Sequence, residues 1–427
     1  MLVKAVSDYS RKAAPELLNG ARARAILKDV GIDVFIATSP ENVAHLSGYQ
    51  CQTHWTNKGT LVFGVFSAEE GSVPIVIAPA LELDAWAEEP PEFGEIIPCG
   101  TSAYRIGRDL GVEVGTLQAD DAFIFDRGFH EQQHLDAIAT LVNLLKANGF
   151  ERARIALDEA GISRTVWNEI VSRLPATRFS MGAHVWRRIR MVKSDTEVEL
   201  LTTATRNASR ALQATIEIAR PGVTEEELFR HYNTRIAEQG GMPVFAAINA
   251  GRRSGHPHPI ASDYELKLGD VVKYDVGGTY RYYHGDIART QVVGAPSDEQ
   301  AHIYEALLKG EQAAIAALKP GVRPSEVFSV AVETIRSAGL REYRRHHVGH
   351  GIGIEIYDPP LIQPNDSMSE LSGLGSLDEP LEANMIINIE TPYYLLGKFG
   401  MTVEDTMLVT PTGARYLFDL PRAELFT

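Results

Sequence analysis

The chain contains an internal repeat, and its spacing constrains the fold more than any other feature. Gln213-Ala214, Ile216, Pro221-Gly222-Val223, Glu227, Phe229 and Gly240 recur 99 residues later without a gap, as Gln312-Ala313, Ile315, Pro320-Gly321-Val322, Glu326, Phe328 and Gly339. Each copy reads as a helix, a Pro-Gly turn, a capped second helix and a glycine stop. Such a unit implies an internally duplicated α/β domain with approximate two-fold symmetry. Beyond the glycine stops the copies diverge, then converge on apolar strands that end in a carboxylate. One is Gly269 to Asp275, the other Asn384 to Glu390, and each is followed by a second carboxylate, Asp286 and Glu404. Two related hairpins would then bring four carboxylates to the centre.

A single Asp in a strand is usually a surface or turn residue. Strand interiors disfavour Asp, yet Val271, Val272 and Val276 surround Asp275, and Ile386, Ile387 and Ile389 precede Glu390. Four buried carboxylates around one point would repel one another and take up protons unless cations neutralised them. The pattern therefore predicts a metal site. The run Arg345 to Gly353 offers three histidines. Its glycines do not make a nucleotide loop, because no βαβ pattern surrounds them. Small residues beside a ligand let backbone and substrate approach closely, which selects His350 for the metal. His346, four residues earlier, could face the same cavity, and His347 reads as a support or packing residue.

The first third alternates helix-like and strand-like segments. Ala21 to Val30 and Leu135 to Lys146 have helical spacing, and Asp33 to Ala37, Leu61 to Phe66, Pro74 to Ala78 and Arg154 to Leu157 are strand runs. This predicts an α/β (α+β) N-terminal domain over 1–180 and a catalytic domain over 186–427, the boundary falling between Pro175 and Lys193. Ser194 and Glu197 form a capping-box signature for a long helix through Ala219. The net charge of −15 argues against nucleic acid and anionic membranes as partners. Two cysteines make neither a disulfide framework nor a Cys-rich zinc site. No segment has the ~20 apolar residues of a membrane span and no signal peptide is evident, so a cytoplasmic location is expected.

The chain resembles the pita-bread metallohydrolases, which include prolidase, aminopeptidase P, methionine aminopeptidase and creatinase. Ser39-Pro40-Glu41-Asn42 and Leu46-Ser47-Gly48-Tyr49 look like the creatinase-type N-domain. Asp275-Val-Gly-Gly, Asp286-Ile-Ala-Arg-Thr290, Gly349-His350-Gly-Ile-Gly353, Glu390-Thr-Pro and Val403-Glu404-Asp405 resemble the catalytic motifs. The resemblance implies five metal ligands, Asp275, Asp286, His350, Glu390 and Glu404, and two further active-site histidines, His258 and His346. One departure stands out. Peptidases of this family commonly carry a substrate-contacting histidine seven residues after the ligand histidine, and here that position is Tyr357. The polar stretch Leu361 to Pro380 reads as a tolerated surface insertion, with a lid as the alternative.

A hard site of four carboxylates and one imidazole suits two Mn²⁺ ions, with Co²⁺, Fe²⁺ or Zn²⁺ as alternatives. Two such ions would share a hydroxide that attacks the scissile carbonyl. Glu390 would shuttle the proton, His258 and His346 would stabilise the tetrahedral intermediate and leaving group, and Tyr357 would take over part of the missing histidine's work. The resemblance implies a prolidase-like hydrolase that cleaves Xaa-Pro dipeptides or short peptides. The competing readings are a non-peptidase hydrolase or lyase acting on a small amide, amidine or osmolyte, and a binding protein on a catalytically dead fold. By resemblance the chain is expected to form homodimers, with the loop Gln52 to Trp55 as the candidate contact to the partner's site.

Overall fold

Ser194 opens the helix Asp195–Ile218 with a reciprocal cap. Glu197 N–H donates to the Ser194 hydroxyl at 3.2 Å, and the Glu197 carboxylate accepts from Ser194 N–H at 2.9 Å. The computed structural model describes residues 17–421, apart from 58, 89–93, 101–103, 105, 108–110, 130–135, 366–377 and 419. The chain divides into two units, Met1–Ile189 and Arg190–Thr427.

The first unit is built on six strands, β1 (Val34–Ala37), β2 (Phe63–Ser67), β3 (Ile75–Pro79), β4 (Glu95–Cys99), β5 (Arg154–Leu157) and β6 (Arg178–Met181), in the order β4-β3-β2-β1-β5-β6. Two apolar clusters pack against the sheet, one including Phe35, Phe66 and Trp186 and the other Ile36, Phe63 and Leu141. Asp158, fully buried just after β5, ties that strand's end to the segment that follows β1. Its Oδ2 accepts from Thr38 N–H, Ser39 N–H, the Ser39 hydroxyl and Asn42 Nδ2 at 2.8–3.1 Å. The strand and helix runs read from this part of the sequence fall within a few residues of those seen; Leu135 lies outside the described residues. Residues Gln52–Thr56, expected as a loop, form a helical turn. His54 is buried there with its Nε2 3.0 Å from Thr38 O, and Trp55 is half-buried.

The second unit carries β7 (Met242–Ala250), β8 (Val271–Tyr280), β9 (Tyr283–Val292), β10 (Gly349–Gly351), β11 (Asp358–Leu361), β12 (Ile386–Glu390), β13 (Tyr393–Leu395), β14 (Phe399–Met401), β15 (Glu404–Thr410) and β16 (Gly413–Tyr416). Its large sheet runs β11-β10-β12-β15-β9-β8-β7, with β16 on β15. The two halves of the repeat meet between β9 and β15, where Glu404 pairs with Ala288. The apolar core divides the same way. Leu212, Leu228 and Tyr232 pack under Ile248, Tyr274 and Ile287, while Leu307, Val327 and Ile335 pack under Ile387, Ile389 and Met407.

The Pro-Gly turns show how closely the halves correspond. Gly222 and Gly321 have φ of 89° and 90°, the left-handed region open to glycine. Gly222 N–H donates to Leu266 O and Leu266 N–H returns to Val223 O. Gly321 N–H donates to Leu381 O and Leu381 N–H returns to Val322 O. The next helix in each half, Glu225–Glu238 or Pro324–Ser337, has as its third residue a glutamate that accepts the backbone N–H three residues earlier, Glu227 from Thr224 and Glu326 from Arg323.

A buried charge cluster holds the segment after β10. Asp358 accepts from Arg190 Nη2 at 2.6 Å and from Lys193 Nζ at 3.2 Å, and Arg190 also pairs with Glu355 at 2.9 Å. Burial alone would raise the Asp358 carboxyl, but Arg190 and Lys193 outweigh it and hold it below its ordinary range. Asp358→Ala would take the shared carboxylate from buried Lys193 and Arg190, Arg190 keeping Glu355, at a cost of about 3–5 kcal/mol. The expected readout is a lower urea midpoint with an unchanged slope; an unaltered midpoint would contradict this account.

Candidate active site

Five ligand-type side chains sit on five consecutive strands. His350 is on β10, Glu390 on β12, Glu404 on β15, Asp286 on β9 and Asp275 on β8. The registers Glu390↔Glu404 and Gly277↔Asp286 set the carboxylates of each hairpin side by side. Side chains two residues apart on a strand share a face, so Asp275 and Gly277 point the same way as Asp286. Asp286, His350 and Glu404 are all buried, and each offers a ligand atom within 4.8 Å of the others. Asp275, Asp286, Glu390 and Glu404 line a cavity of about 1030 Å³, together with His258, His346 and Tyr357.

The protonation chemistry favours a cation at this point. His350 Nδ1 lies 2.9 Å from Gly351 O, an oxygen that can only accept, so Nδ1 carries the proton and Nε2 presents its lone pair. That Nε2 is 3.7 Å from Asp286 Oδ2. Burial lowers the imidazole to about 4, so it is neutral at pH 7. Burial and then the neighbouring carboxylates push Asp286 and Glu404 well above the usual carboxyl range; Asp275 is also raised, chiefly by burial and against the pull of Lys273. Asp286 Oδ1 is buried without a hydrogen bond among the described residues. An acceptor left unsatisfied inside a ring of carboxylates is what a hard divalent cation would satisfy.

Outer contacts fix these side chains. Asn388 Nδ2 donates to Glu404 Oε1 at 2.9 Å, and the Thr406 hydroxyl donates to Asp286 O at 3.0 Å. Arg289, fully buried, donates to Glu404 O at 2.7 Å and pairs with Asp405 at 2.8 Å.

His258 and His346 are exposed residues of the cavity wall. Burial, His347 and Arg345 lower His346 to about 4. Tyr357 stacks on the His350 ring at 3.9 Å and meets the His347 ring edge-on at 6.0 Å. Burial and the surrounding carboxylates raise its phenol, so it stays protonated and can donate.

Several residues here escaped the sequence reading. His347, read as packing or support, is buried with Nε2 2.6 Å from Glu390 Oε1, close but off hydrogen-bond alignment. Arg345 stands 3.6 Å from Glu390 Oε2. Burial alone would raise Glu390, but His347, Arg345 and His350 prevail and hold it at about 2. Lys273 is buried two residues before Asp275. Its Nζ donates to His256 O at 2.7 Å and Pro257 O at 2.6 Å and lies 4.8 Å from the Tyr394 ring centre. It thereby pins the segment that carries His258. The period-two pattern of β8, which puts Lys273 on the face of Asp275, was the available signal.

A duplicated sheet with a strand-borne cluster of carboxylates and one neutral imidazole defines a pita-bread hydrolase fold, here preceded by a creatinase-type domain. Residues 199–411 match metallopeptidase family M24, and residues 21–192 match the creatinase/prolidase N-terminal domain. The chain belongs to metallopeptidase family M24. It is 36% identical over 235 residues to the Xaa-Pro dipeptidase of Pyrococcus furiosus, covering 55% of this chain and 64% of that relative. To the Xaa-Pro dipeptidase of Pyrococcus horikoshii it is 32% identical over 278 residues, 64% of this chain and 76% of the relative. The sequence match thus spans under two thirds of the first of these relatives. Among solved structures, the prolidase from Pyrococcus furiosus aligns with a TM-score of 0.70 and 25% identity, covering 93% of this chain and 100% of that one. The X-Pro aminopeptidase from Thermotoga maritima aligns at 0.71 and 25%, covering 96% and 99%.

Proposed function

We propose that this protein is an Xaa-Pro dipeptidase-like hydrolase that holds two divalent ions, Mn²⁺ by preference, on Asp275, Asp286, His350, Glu390 and Glu404. The observation that carries the proposal is the row of five neighbouring strands, each bearing one of these side chains. Bound ions would supply Lewis-acid polarisation of the scissile carbonyl and an activated water. The chain's own groups do the rest. Glu390, ionised at neutral pH, receives a proton from the attacking water and passes it to the leaving nitrogen. His258, held by the Lys273 clamp, and His346 donate to the developing oxyanion and to the leaving group. The Tyr357 phenol is a further donor, kept in its neutral form by burial and by the carboxylates around it. Among the described residues no helix is long and apolar enough to cross a membrane. We place the protein in the cytoplasm as a homodimer, to be tested by fractionation and by light scattering.

The test is turnover of a panel of Xaa-Pro dipeptides after loading with Mn²⁺ or Co²⁺. Metal bound without cleavage of any Xaa-Pro bond would sink the peptidase reading. Tyr357 favours a second reading, a non-peptidase hydrolase acting on a small amide, because a phenol cannot become a cation at neutral pH as an imidazole can. Two variants weigh the tyrosine. Tyr357→Phe, which deletes one donor, is expected to lower kcat about 10-fold or more. Tyr357→His should restore a donor that titrates near neutrality, and so bend the pH profile between pH 6 and 7 relative to the parent. If Tyr357→Phe matches the parent in kcat, the phenol has no part in the reaction.

A further inference from the structure

The wall of the cavity beside Asp286 is built by a local irregularity. β7 and β8 pair residue for residue from Ala250↔Val272 to Phe245↔Gly277, and the register then shifts so that Pro243 faces Gly278. Val244 is the extra residue of this bulge and is 48% exposed. A bulge re-aims the side chain next to it, and here that side chain is Phe245. It lies across Gly277, where any Cβ would overlap the phenyl ring. Gly277 is itself paired with Asp286. Phe245, Gly277 and Asp286 therefore form one row over three adjacent strands, all facing the cavity. With strands ~4.8 Å apart, the aromatic ring bridges most of the way to the Asp286 carboxylate. Ala247, two residues on and paired with Asp275, keeps the space beside it open, and Phe229 and Ile260 continue the apolar lining to exposed positions.

We propose that Phe245 is a specificity-determining residue that selects a bulky apolar side chain on the acyl residue, the Xaa of Xaa-Pro. This rests on the function proposed above. The acyl side is assigned by strand order. Glu390, which delivers the proton to the leaving nitrogen, is on β12, whereas Phe245 is on β7 at the far side of β15, β9 and β8. The leaving proline then lies toward β12 and the acyl residue toward β7. A proline ring has a fixed size, so an aromatic wall on the other side gains contact only as Xaa grows.

The experiment compares kcat/KM for Gly-Pro, Ala-Pro, Leu-Pro and Phe-Pro in the Mn²⁺-loaded parent, Phe245→Ala and Phe245→Leu. In the parent the Leu-Pro to Gly-Pro ratio is expected to be about 10 or more, as apolar pockets discriminate. In Phe245→Ala the ratio should fall about 10-fold, mainly through KM, and Phe245→Leu should recover most of it. A ratio that Phe245→Ala leaves intact overturns the proposal, whatever the variant does to absolute rates. If no Xaa-Pro dipeptide is cleaved by the parent, the function proposed above fails, and calorimetry with glycine hydroxamate and leucine hydroxamate decides the role of Phe245 separately. A leucine preference that disappears in Phe245→Ala supports the wall, and equal binding of the two hydroxamates by the parent refutes it.

Discussion

Glu390→Ala is expected to lower kcat by about 10²–10⁴-fold, the range for loss of a positioned general base. The side chain serves two proposed purposes, as ligand and as proton carrier, and Glu390→Gln separates them. The amide keeps one oxygen but cannot accept the proton, so turnover should fall nearly as far while more metal is retained than in the alanine variant. His347 and Arg345 also lose their anionic partner in both variants, which frees two groups that now hold Glu390 at about 2. The assay therefore pairs steady-state rates with metal content by elemental analysis and with far-UV circular dichroism to verify folding. A fully active Glu390→Ala protein would rule out the mechanism.

Removing metal should change stability as a function of pH, and the direction follows from the carboxylates. Asp286 and Glu404 are raised well above the ordinary carboxyl range, and Asp275 is raised as well. A carboxyl whose folded-state value exceeds its unfolded value of about 4 stabilises the fold fully below that value, and loses this contribution as pH rises through the folded value. The contribution of these three carboxyls is therefore expected to fall from about pH 4 upward, offset in part below about pH 6.5 by His346 and His350, whose lowered values add stability as pH rises. Metal reverses the trend, because binding expels those protons and so tightens with pH. At a thousandfold excess over Kd the ions would add about 4 kcal/mol, or roughly 10 °C in the Tm of a unit this size. Thermal unfolding with and without Mn²⁺ at pH 5, 6.5 and 8 tests both statements. Identical curves at every pH would remove the basis for a metal centre in this cavity.

Much of the architecture could be read from the residues because the repeat and the caps are local patterns. Pro221-Gly222 and Pro320-Gly321 announce their turns, and Ser194 with Glu197 announces a helix. The carboxylates were legible for a related reason: an Asp or Glu ending a run of Val or Ile is an anomaly that demands compensation. The neighbours of Glu390 were hidden. In Arg345-His346-His347 nothing local says which ring turns inward, since this depends on how the segment enters β10, and that is fixed by pairing with β11 and β12. The structure puts His347 at Glu390 and leaves His346 on the exposed wall. Phe245 was invisible for a similar reason. Its aim depends on a one-residue slip against β8, and a bulge leaves no mark in the composition of the strand.

The junction between β9 and β15 also governs when the centre can exist. Neither half of the repeat holds all five proposed ligands. Asp275 and Asp286 belong to one half, and His350, Glu390 and Glu404 to the other. The two hairpins meet through the pairing of Glu404 with Ala288, and in chain order only β16 follows β15. A ribosome must therefore have released nearly all of the second unit before the proposed set can come together. Capture of the proposed cations would then be a late event in the biogenesis of this chain, and a tightly held ion in the cavity would report that both halves have already docked.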